Sequence, residues 1–200
     1  GTTERELSTK VENFCKEHGC NSLGFSIVGM GKNGSDPHHD ADSTVLQPGD
    51  SIVLDIGAPF GNYWCDMTRT VFYKSVSEEH RKVYEIVKEA QQRGIDAVKP
   101  GARMCDVDLA CRNYITEKGY GEYFTHRTGH SIGMEDHEYG DVSSVNEDII
   151  QVGQVFSIEP GIYLMDEGIG VRIEDLVIVT EDGCEVLNHF TKDLIVVPEE

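Results

Sequence analysis

The sequence is poor in basic residues. Seventeen Lys and Arg stand against 36 Asp and Glu, which gives a formal net charge of −19 at pH 7. Because phosphate groups are bound by clustered Lys and Arg, this balance argues against a nucleic acid or an anionic membrane as the partner. It is compatible with cation binding, although most of these carboxylates will simply be solvated.

Long apolar runs and paired cysteines are also missing. No run approaches the roughly 18 residues that a membrane-spanning helix needs. The six cysteines include no Cys-x-x-Cys pair and are too few for a disulfide scaffold, so we expect a reduced, cytoplasmic protein. The chain opens on Gly-Thr-Thr-Glu, without an initiator Met or a signal peptide, and we expect a domain cut from a longer protein.

The pattern of helices and strands predicts one mixed α/β domain over residues 1–200. Thr3 and Glu6 form a capping box before a helix that ends near Gly19. Ser77 caps a second helix, which stops at residues 100–101, and a third covers residues 106–118. The remaining elements are short strands, predicted at residues 25–28, 52–56, 68–73, 155–159, 170–173, 176–180 and 185–187.

The central stretch, residues 52–73, consists of two apolar runs joined by a turn. Asp55 interrupts the first run and Asp66 precedes the second. A carboxylate inside a strand otherwise fit for burial costs several kcal/mol unless its charge is compensated. Two interpretations remain open at this point: an aspartate that caps a turn by hydrogen bonds, or two metal ligands brought together by a hairpin.

An internal repeat favours the metal ligands. A shift of 100 residues aligns the first and third helices and places Met30 on His130, and a shift of 104 aligns residues 47–57 with 151–161. Asp55 then overlies Glu159, and Asp66 has its counterpart in Glu174. Two halves related by a pseudo-twofold axis would bring these four carboxylates to that axis.

Four carboxylates at one centre cannot all stay ionised unless cations lie among them, and two divalent ions would neutralise the four charges. Oxygen ligands with one imidazole suit Mn, Co, Fe or Zn. His130 lies in Gly-His-Ser-Ile-Gly, residues 129–133, where glycines allow close approach of the backbone. Taken alone, His130 could equally be a turn histidine; together with the four acids it is the expected imidazole ligand.

Several motifs resemble the catalytic domain of the pita-bread metallopeptidases. They are L-D-I-G-A (54–58), D-M-T-R-T (66–70), T-G-H-S-I-G-M-E-D-H-E (128–138), S-I-E-P-G-I-Y (157–163) and G-V-R-I-E-D (170–175). That family contains methionine aminopeptidases, Xaa-Pro aminopeptidases and Xaa-Pro dipeptidases (prolidases), with creatinase as a metal-free relative. The resemblance implies an α+β fold of two pseudo-twofold-related α/β halves, with helices covering one face of a curved, mostly antiparallel sheet.

The resemblance also implies roles for individual residues. Asp66 and Glu174 would bridge two ions, Asp55 would chelate one of them, and His130 with Glu159 would hold the other. Mn²⁺ or Co²⁺ is expected, with Zn²⁺ or Fe²⁺ as alternatives. The motifs D-M-T-R-T and G-V-R-I-E-D, and the Pro-His pair at residues 37–38, resemble the proline-directed branch more than the methionine aminopeptidases. Four further residues then match its substrate-facing positions: His38, His126, His137 and Arg172. Arg172 could equally be a structural partner of nearby acids.

The implied activity is two-metal hydrolysis of an N-terminal Xaa-Pro peptide bond. Glu159 would shuttle the proton, His137 would stabilise the oxyanion, and His38 would orient the substrate. The alternatives are a methionine aminopeptidase-like exopeptidase, a metal-free creatinase-like hydrolase and a non-catalytic interaction module. Since all five ligand positions keep their residue types, the last two are disfavoured. The choice between dipeptidase and aminopeptidase stays open.

Two departures from the family pattern bear on this hypothesis. Tyr139-Gly140 stands where relatives often have an acid and Pro, which leaves one wall of the pocket undefined. The sequence begins within the first helix of the family's catalytic domain, so we expect it to lack the separate N-terminal domain usual in Xaa-Pro enzymes. We expect the full-length form to be a homodimer, because in relatives that domain helps to form the dimer.

Overall fold

The computed structural model describes residues 1–22 and 24–199. Among these residues there are three α-helices: α1 (Glu4–Glu17), α2 (Glu78–Ala97) and α3 (Met104–Glu117). Short 3-10 turns occur at Gly31–Ser35 and Gly121–Tyr123. None of the described helices combines the length and the apolar character needed to cross a membrane.

The strands form mostly antiparallel sheets. One sheet has the order β1-β2-β3-β11, a second has the order β10-β9-β6-β4-β5, and β7 pairs with β8. Only β11 runs parallel to its neighbour among the described strand pairs. The strands are β1 (Phe25–Met30), β2 (Ser51–Phe60), β3 (Tyr63–Tyr73), β4 (Gly129–Ser131), β5 (Glu138–Val142), β6 (Val155–Ile158), β7 (Gly161–Leu164), β8 (Ile169–Arg172), β9 (Asp175–Val179), β10 (Cys184–Val186) and β11 (Val196–Val197). The mixed α+β content agrees with the sequence-based prediction.

Each predicted helix start has a capping interaction. In α1 the Thr3 backbone N–H donates to Glu6 Oε2 at 2.8 Å, and Glu6 N donates to Thr3 Oγ1 at 3.2 Å, which confirms the capping box. The Ser77 hydroxyl oxygen likewise accepts from the backbone of α2. Helix α3 begins two residues before its predicted start, because Arg103 N donates to Asp106 Oδ2 at 3.0 Å and thus becomes the N-cap.

The two halves repeat one another in three dimensions. Thr3 forms an isolated antiparallel bridge with Val45, and Arg103 forms the same bridge with Ile149. These residues are related by the shifts of 100 and 104 that the sequence predicted. Strands β2 and β6 also begin at positions 104 apart, Ser51 and Val155. The repeat is therefore a property of the fold and not a chance match of apolar residues.

The strand register corrects the predicted counterpart of His130. Ile52 pairs with Met30, whereas Phe156, its counterpart, pairs with Ser131. Met30 therefore corresponds to Ser131 and not to His130. The helices align at a shift of 100 and these strands at 101, so the connection between α3 and β4 contains one additional residue.

The predicted counterpart of Glu174 is also displaced. Asp66 pairs with Gly57, and Thr68 pairs with Asp55. In the second half the registers of β6–β9 and β7–β8 place Glu174 opposite Glu159. Glu174 thus corresponds to Thr68 and not to Asp66. Since a shift of two residues keeps a side chain on the same face of a strand, the acids still converge.

The single curved sheet that the sequence predicted is divided in the structure. Asp55 lies in the first sheet and Glu159 directly follows β6 of the second. Strand β3 of the first sheet lies against β9 of the second sheet and against β8 of the two-stranded sheet β7–β8. Side-chain hydrogen bonds replace part of the backbone hydrogen-bond ladder there. Thr70 Oγ1 donates to Arg172 O at 3.0 Å, and one backbone bond joins Glu174 N to Thr68 O at 3.1 Å.

A buried ion pair strengthens this junction. Arg69 on β3 is 4% exposed, and its Nη2 donates to Asp175 Oδ1 on β9 at 2.6 Å. Its Nη1 donates to the Glu174 carbonyl, also at 2.6 Å. The guanidinium therefore holds the backbone of the second half directly beside the candidate ligands.

The apolar cores lie on the helix side of the sheets. Leu54 packs with Leu7 of α1 in the smaller core, and Ile158 belongs to the larger core with residues of α2 and α3. Because side chains alternate along a strand, Asp55 points away from Leu54. The acids are thus left on the face that the helices do not cover.

Candidate metal centre and substrate cavity

A cavity of about 480 Å³ opens where the two halves meet. It is lined by all nine residues that the sequence singled out: His38, Asp55, Asp66, His126, His130, His137, Glu159, Arg172 and Glu174. Two further charged residues line it without having been predicted, Arg127 and Asp136. Tyr163, also not predicted, lies behind the lining and bonds to His126 and Arg172.

The two aspartates come from the hairpin β2–β3. Asp55 is 8% exposed and Asp66 is 3% exposed. Burial, and then the neighbouring Asp55 carboxylate, raises the pKa of Asp66 to about 9. Asp55 Oδ1 and Asp66 Oδ1 are buried and have no hydrogen-bond partner. Each aspartate thus directs an unpaired oxygen into a crowded acidic site.

The two glutamates come from the second half. Glu174 accepts a hydrogen bond from Thr68 Oγ1 at 2.6 Å, and its Oε1 is buried without a partner. Burial, followed by Asp66, raises its pKa well above the ordinary value. Glu159 accepts from Ser157 Oγ at 3.0 Å. Burial raises the pKa of Glu159 to about 7, although His130 and Arg172 act in the opposite direction.

His130 faces these carboxylates from β4. Its Nε2 lies 3.6 Å from both Asp66 Oδ2 and Glu159 Oε1, which is too long for a hydrogen bond. Gly129 allows the close approach of β4 to β6, because a Cβ there would lie 1.9 Å from Ser157 O. The ring is therefore fixed with one nitrogen aimed at the acids across a gap.

This arrangement fits divalent cations. Asp66, His130 and Glu174 can each offer one ligand atom, and these atoms lie within 4.8 Å of one another. The site has buried oxygens without donors, and the pKa values of its carboxyls are raised by burial and then by mutual repulsion. A bound cation would relieve both. Oxygen donors with one imidazole nitrogen match the preferences of Mn²⁺, Co²⁺, Fe²⁺ and Zn²⁺.

The guanidinium of Arg172 is held within the site by hydrogen bonds to neighbouring side chains. Its Nη2 donates to Asp55 Oδ2 at 2.8 Å, its Nη1 to Tyr163 Oη at 2.7 Å and its Nε to Thr68 Oγ1 at 3.2 Å. The sequence left two interpretations of Arg172 open: a substrate-facing residue, or a structural partner of nearby acids. These contacts favour the structural partner, which orients the acids.

His126 extends the same network. Its Nδ1 lies 2.7 Å from Arg127 O and its Nε2 lies 2.9 Å from Tyr163 Oη. Because a carbonyl can only accept, Nδ1 carries the proton and Nε2 accepts from the tyrosine. Burial lowers the pKa of His126 to about 4, so the ring is neutral at pH 7. It therefore supports Tyr163, and through it Arg172.

His137 and His38 form the solvent side of the cavity. The His137 ring packs against His130 with centroids 3.8 Å apart, and its Nδ1 lies 3.2 Å from Arg127 Nη2. Since Arg can only donate, Nδ1 accepts and Nε2–H of the neutral ring is free to donate. Burial, and then His130, lowers the pKa of His137 to about 4. His38 is exposed at the rim.

The chain matches the model of one protein family, metallopeptidase family M24, over residues 1–181. It belongs to this family. The metallopeptidases of family M24 use divalent metal ions, in agreement with the donor set described above. An uncharacterized peptidase of Staphylococcus aureus strain MW2 is 43% identical over 193 residues, which cover 96% of this chain and 55% of that protein.

Two solved structures of the proline-directed M24 branch are also similar. The Xaa-Pro dipeptidase from Bacillus anthracis matches with a TM-score of 0.95 and 42% identity, over 98% of this chain and 56% of that one. The X-Pro aminopeptidase from Thermotoga maritima matches with a TM-score of 0.95 and 39% identity, over 98% and 56%. The fold is thus the pita-bread fold. The chain spans about half the length of the curated relatives that it matches.

Proposed function

We propose that this chain carries the active site of a dinuclear-metal exopeptidase that hydrolyses N-terminal Xaa-Pro peptide bonds. The observation that carries the proposal is the convergence of Asp66, His130 and Glu174 within 4.8 Å at one cavity. Membership of family M24 and the similarity to a dipeptidase and an aminopeptidase directed at Xaa-Pro bonds support it.

Five residues would hold two divalent ions: Asp55, Asp66, His130, Glu159 and Glu174. Mn²⁺ or Co²⁺ suits this mixed oxygen and nitrogen set best. When bound, such ions supply Lewis acidity and make water acidic enough to react near neutral pH.

Glu159 is suited to move the proton during hydrolysis. Its carboxylate lines the cavity, and Oε1 lies 3.6 Å from His130 Nε2, so it would stand beside both the attacking water and the leaving group. The leaving proline nitrogen belongs to a tertiary amide without an N–H, so it must gain a proton before it can depart. Glu159 would take the proton from the attacking water and deliver it to this nitrogen.

His137 and His38 would act on the substrate. The Nε2–H of His137 can donate to the oxygen that develops negative charge when water adds to the carbonyl. His38, exposed at the rim, would orient the peptide. Both roles use cavity-lining side chains outside the proposed ligand set and leave the acids to the cations.

The proposal is tested by comparing three peptides after Mn²⁺ loading: Ala-Pro, Ala-Pro-Ala and Met-Ala-Ala. We expect cleavage before proline in the first or second peptide, and loss of activity after chelation with EDTA. Cleavage of Met-Ala-Ala with both proline peptides intact would instead identify a methionine aminopeptidase-like enzyme. Elemental analysis of the loaded protein should give two ions per chain.

A further inference from the structure

One acid of the cavity stands outside the proposed ligand set. Five acidic side chains are among the described lining residues, and Asp136 is the one that would hold neither ion. It also belongs to neither group of three described side chains whose ligand atoms could share one ion. Its side chain is 27% exposed, and its Oδ1 is buried without a hydrogen-bond partner. The metal centre therefore gives this carboxylate no role.

Within the described part of the chain, the Asp136 carboxylate has no close cationic partner. The one Lys, Arg or His nitrogen within 4.0 Å of it is His137 Nε2, at 3.8 Å, which is too long for a hydrogen bond. Arg127 contacts the other nitrogen of the same ring, Nδ1, at 3.2 Å. The carboxylate is thus open to a cation that a ligand brings.

The loop that carries Asp136 is fixed by hydrogen bonds on both sides. Gly133 O accepts from Trp64 N at 2.8 Å, which ties the loop to β3. Glu138 Oε1 accepts from the backbone N–H of Met134 at 2.7 Å. The backbone beneath Asp136 is therefore held before a ligand arrives, as a group that selects between ligands requires.

An apolar wall lines the cavity on the side of the first half. Phe25 pairs with Gly57, which in turn pairs with Asp66 across β1, β2 and β3. The ring of Phe25 covers Gly57, because a Cβ at that glycine would lie 2.1 Å from Phe25 Cε1. Ile27, two residues further along β1, lines the cavity as well. An aromatic and an aliphatic side chain thus lie next to Asp66.

Asp136 faces the same end of the cavity. Its charge acts on Asp66, whose pKa is raised first by burial, then by Asp55 and then by Asp136. The bond from Trp64 to the loop also lies only two residues before Asp66. Long cationic side chains pack their aliphatic part on apolar surface and keep the charged end at a polar group. The apolar wall and the adjacent acid together match a side chain of this kind.

We propose that Asp136 selects substrates in which the residue before proline is lysine or arginine. The inference rests on the proposed function, which places the leaving proline nitrogen at Glu159 of the second half. The residue before the scissile bond lies on the other side of the carbonyl carbon, toward Phe25 and Ile27 of the first half. An ammonium or guanidinium group there would form a charge-assisted hydrogen bond with the free carboxylate oxygen.

Two dipeptides that differ only in this charge test the inference: Lys-Pro and norleucyl-proline, whose side chain is that of lysine without the ammonium group. In the Mn²⁺-loaded full chain, Lys-Pro should have the higher kcat/KM. Asp136→Asn should lower kcat/KM for Lys-Pro by about 10-fold more than for norleucyl-proline, because it removes the charge but keeps the shape of the side chain.

Asp166→Asn is the matched control. It removes the same charge from the exposed turn between β7 and β8, outside the cavity lining, and should preserve the ratio of the two substrates. Equal losses for both dipeptides in Asp136→Asn would assign this acid to the α-amino group or to the loop alone, and would overturn the inference. So would a wild type without a preference for Lys-Pro, or a control variant that loses the preference to the same extent.

Calorimetric binding of free lysine and norleucine provides a readout that does not depend on turnover. The wild type should bind lysine more tightly, and Asp136→Asn should abolish this preference. If the wild type hydrolyses no Xaa-Pro peptide, the proposed function fails, whereas a lysine preference that disappears in Asp136→Asn still supports the cation subsite. An unchanged lysine preference in that variant overturns the subsite even when hydrolysis is normal.

Discussion

Asp66 is a buried side chain whose carboxylate has other carboxylates as neighbours. It lies between Asp55 and the glutamates, with one buried oxygen that accepts no hydrogen bond. An ionised carboxylate in this position needs a cation beside it. The residue is therefore the most sensitive point at which to test the proposed metal centre.

Asp66→Asn should abolish retention of the metal pair. The substitution keeps the shape of the side chain but removes the charge that would serve both ions. Elemental analysis after gel filtration checks this, with Asp193→Asn, an exposed aspartate paired with Lys88, as the control. Two ions per chain in Asp66→Asn would contradict a bridging role.

His137→Ala should affect turnover and not metal content. His137 lies outside the proposed ligands, and loss of an oxyanion donor typically lowers kcat by about 10²- to 10³-fold. Steady-state kinetics on Ala-Pro and elemental analysis of the same preparation measure both effects. An unchanged kcat would leave His137 as an ordinary loop residue; His18→Ala, a change at the end of α1, is the comparison.

At the scale of secondary-structure elements, the junction of β3 with β8 and β9 holds the proposed metal ligands of the two halves together. Arg69→Met should destabilise the protein by about 3 kcal/mol, because it removes the closer of the two cations beside the buried Asp175 and leaves Lys192, at 3.3 Å, as the other. Urea unfolding measures this free energy. Arg93→Met breaks an exposed pair with Glu89 and should cost at most about 1 kcal/mol. Equal effects of the two substitutions would show that the junction is not what stabilises the domain.

The elements with strong local signals were predictable from the sequence. Helices α1 and α2 have side-chain caps and apolar stripes, and hairpin β2–β3 has apolar runs around a turn. Strand β5 carries Glu, Tyr, Gly and Asp and is largely exposed, so it has no alternating pattern to detect. Strand β7 follows Pro160, and a proline predicts the end of a strand. In the structure the pairing of β6 with β9 continues, in the same register, as the pairing of β7 with β8.

The register of strand pairing was the part of the fold that local sequence patterns could not determine. A shift of two residues preserves the alternation of inward and outward side chains, so Thr68 and Asp66 were equally acceptable counterparts of Glu174. The roles of Tyr163 and Arg127 were missed for a related reason: their partners are close in space and leave no spacing signal in the chain. Tyr163, for example, bonds to both His126 and Arg172.

For the whole molecule, the clustered acids make stability depend on pH. In metal-free protein the pKa of Asp66 is raised to about 9 and that of Glu159 to about 7, while unfolded carboxyls ionise near pH 4. Between these values the folded state binds more protons than the unfolded state. Its stability therefore falls as pH rises. His126 and His137, whose pKa values are lowered to about 4, act in the opposite sense below pH 6.5.

The thermal midpoint of EDTA-treated protein should accordingly be higher at pH 6.5 than at pH 8.5. Asp66→Asn should reduce this difference, because an amide does not ionise. Differential scanning calorimetry in matched buffers provides the measurement. A midpoint that increases from pH 6.5 to pH 8.5 without metal would contradict the raised carboxyl pKa values.

The division of the ligands between the two halves also sets the order of events during synthesis. Asp55 and Asp66 leave the ribosome with the first hairpin, while Glu159 and Glu174 follow more than 90 residues later, since 159 minus 66 is 93. A nascent chain thus lacks half of the proposed ligand set until the second half has been synthesised. We expect loading to be a late, post-translational step that follows docking of the halves. Metal ions would then act on chains whose halves have already docked, and their binding would add to the stability of the folded state.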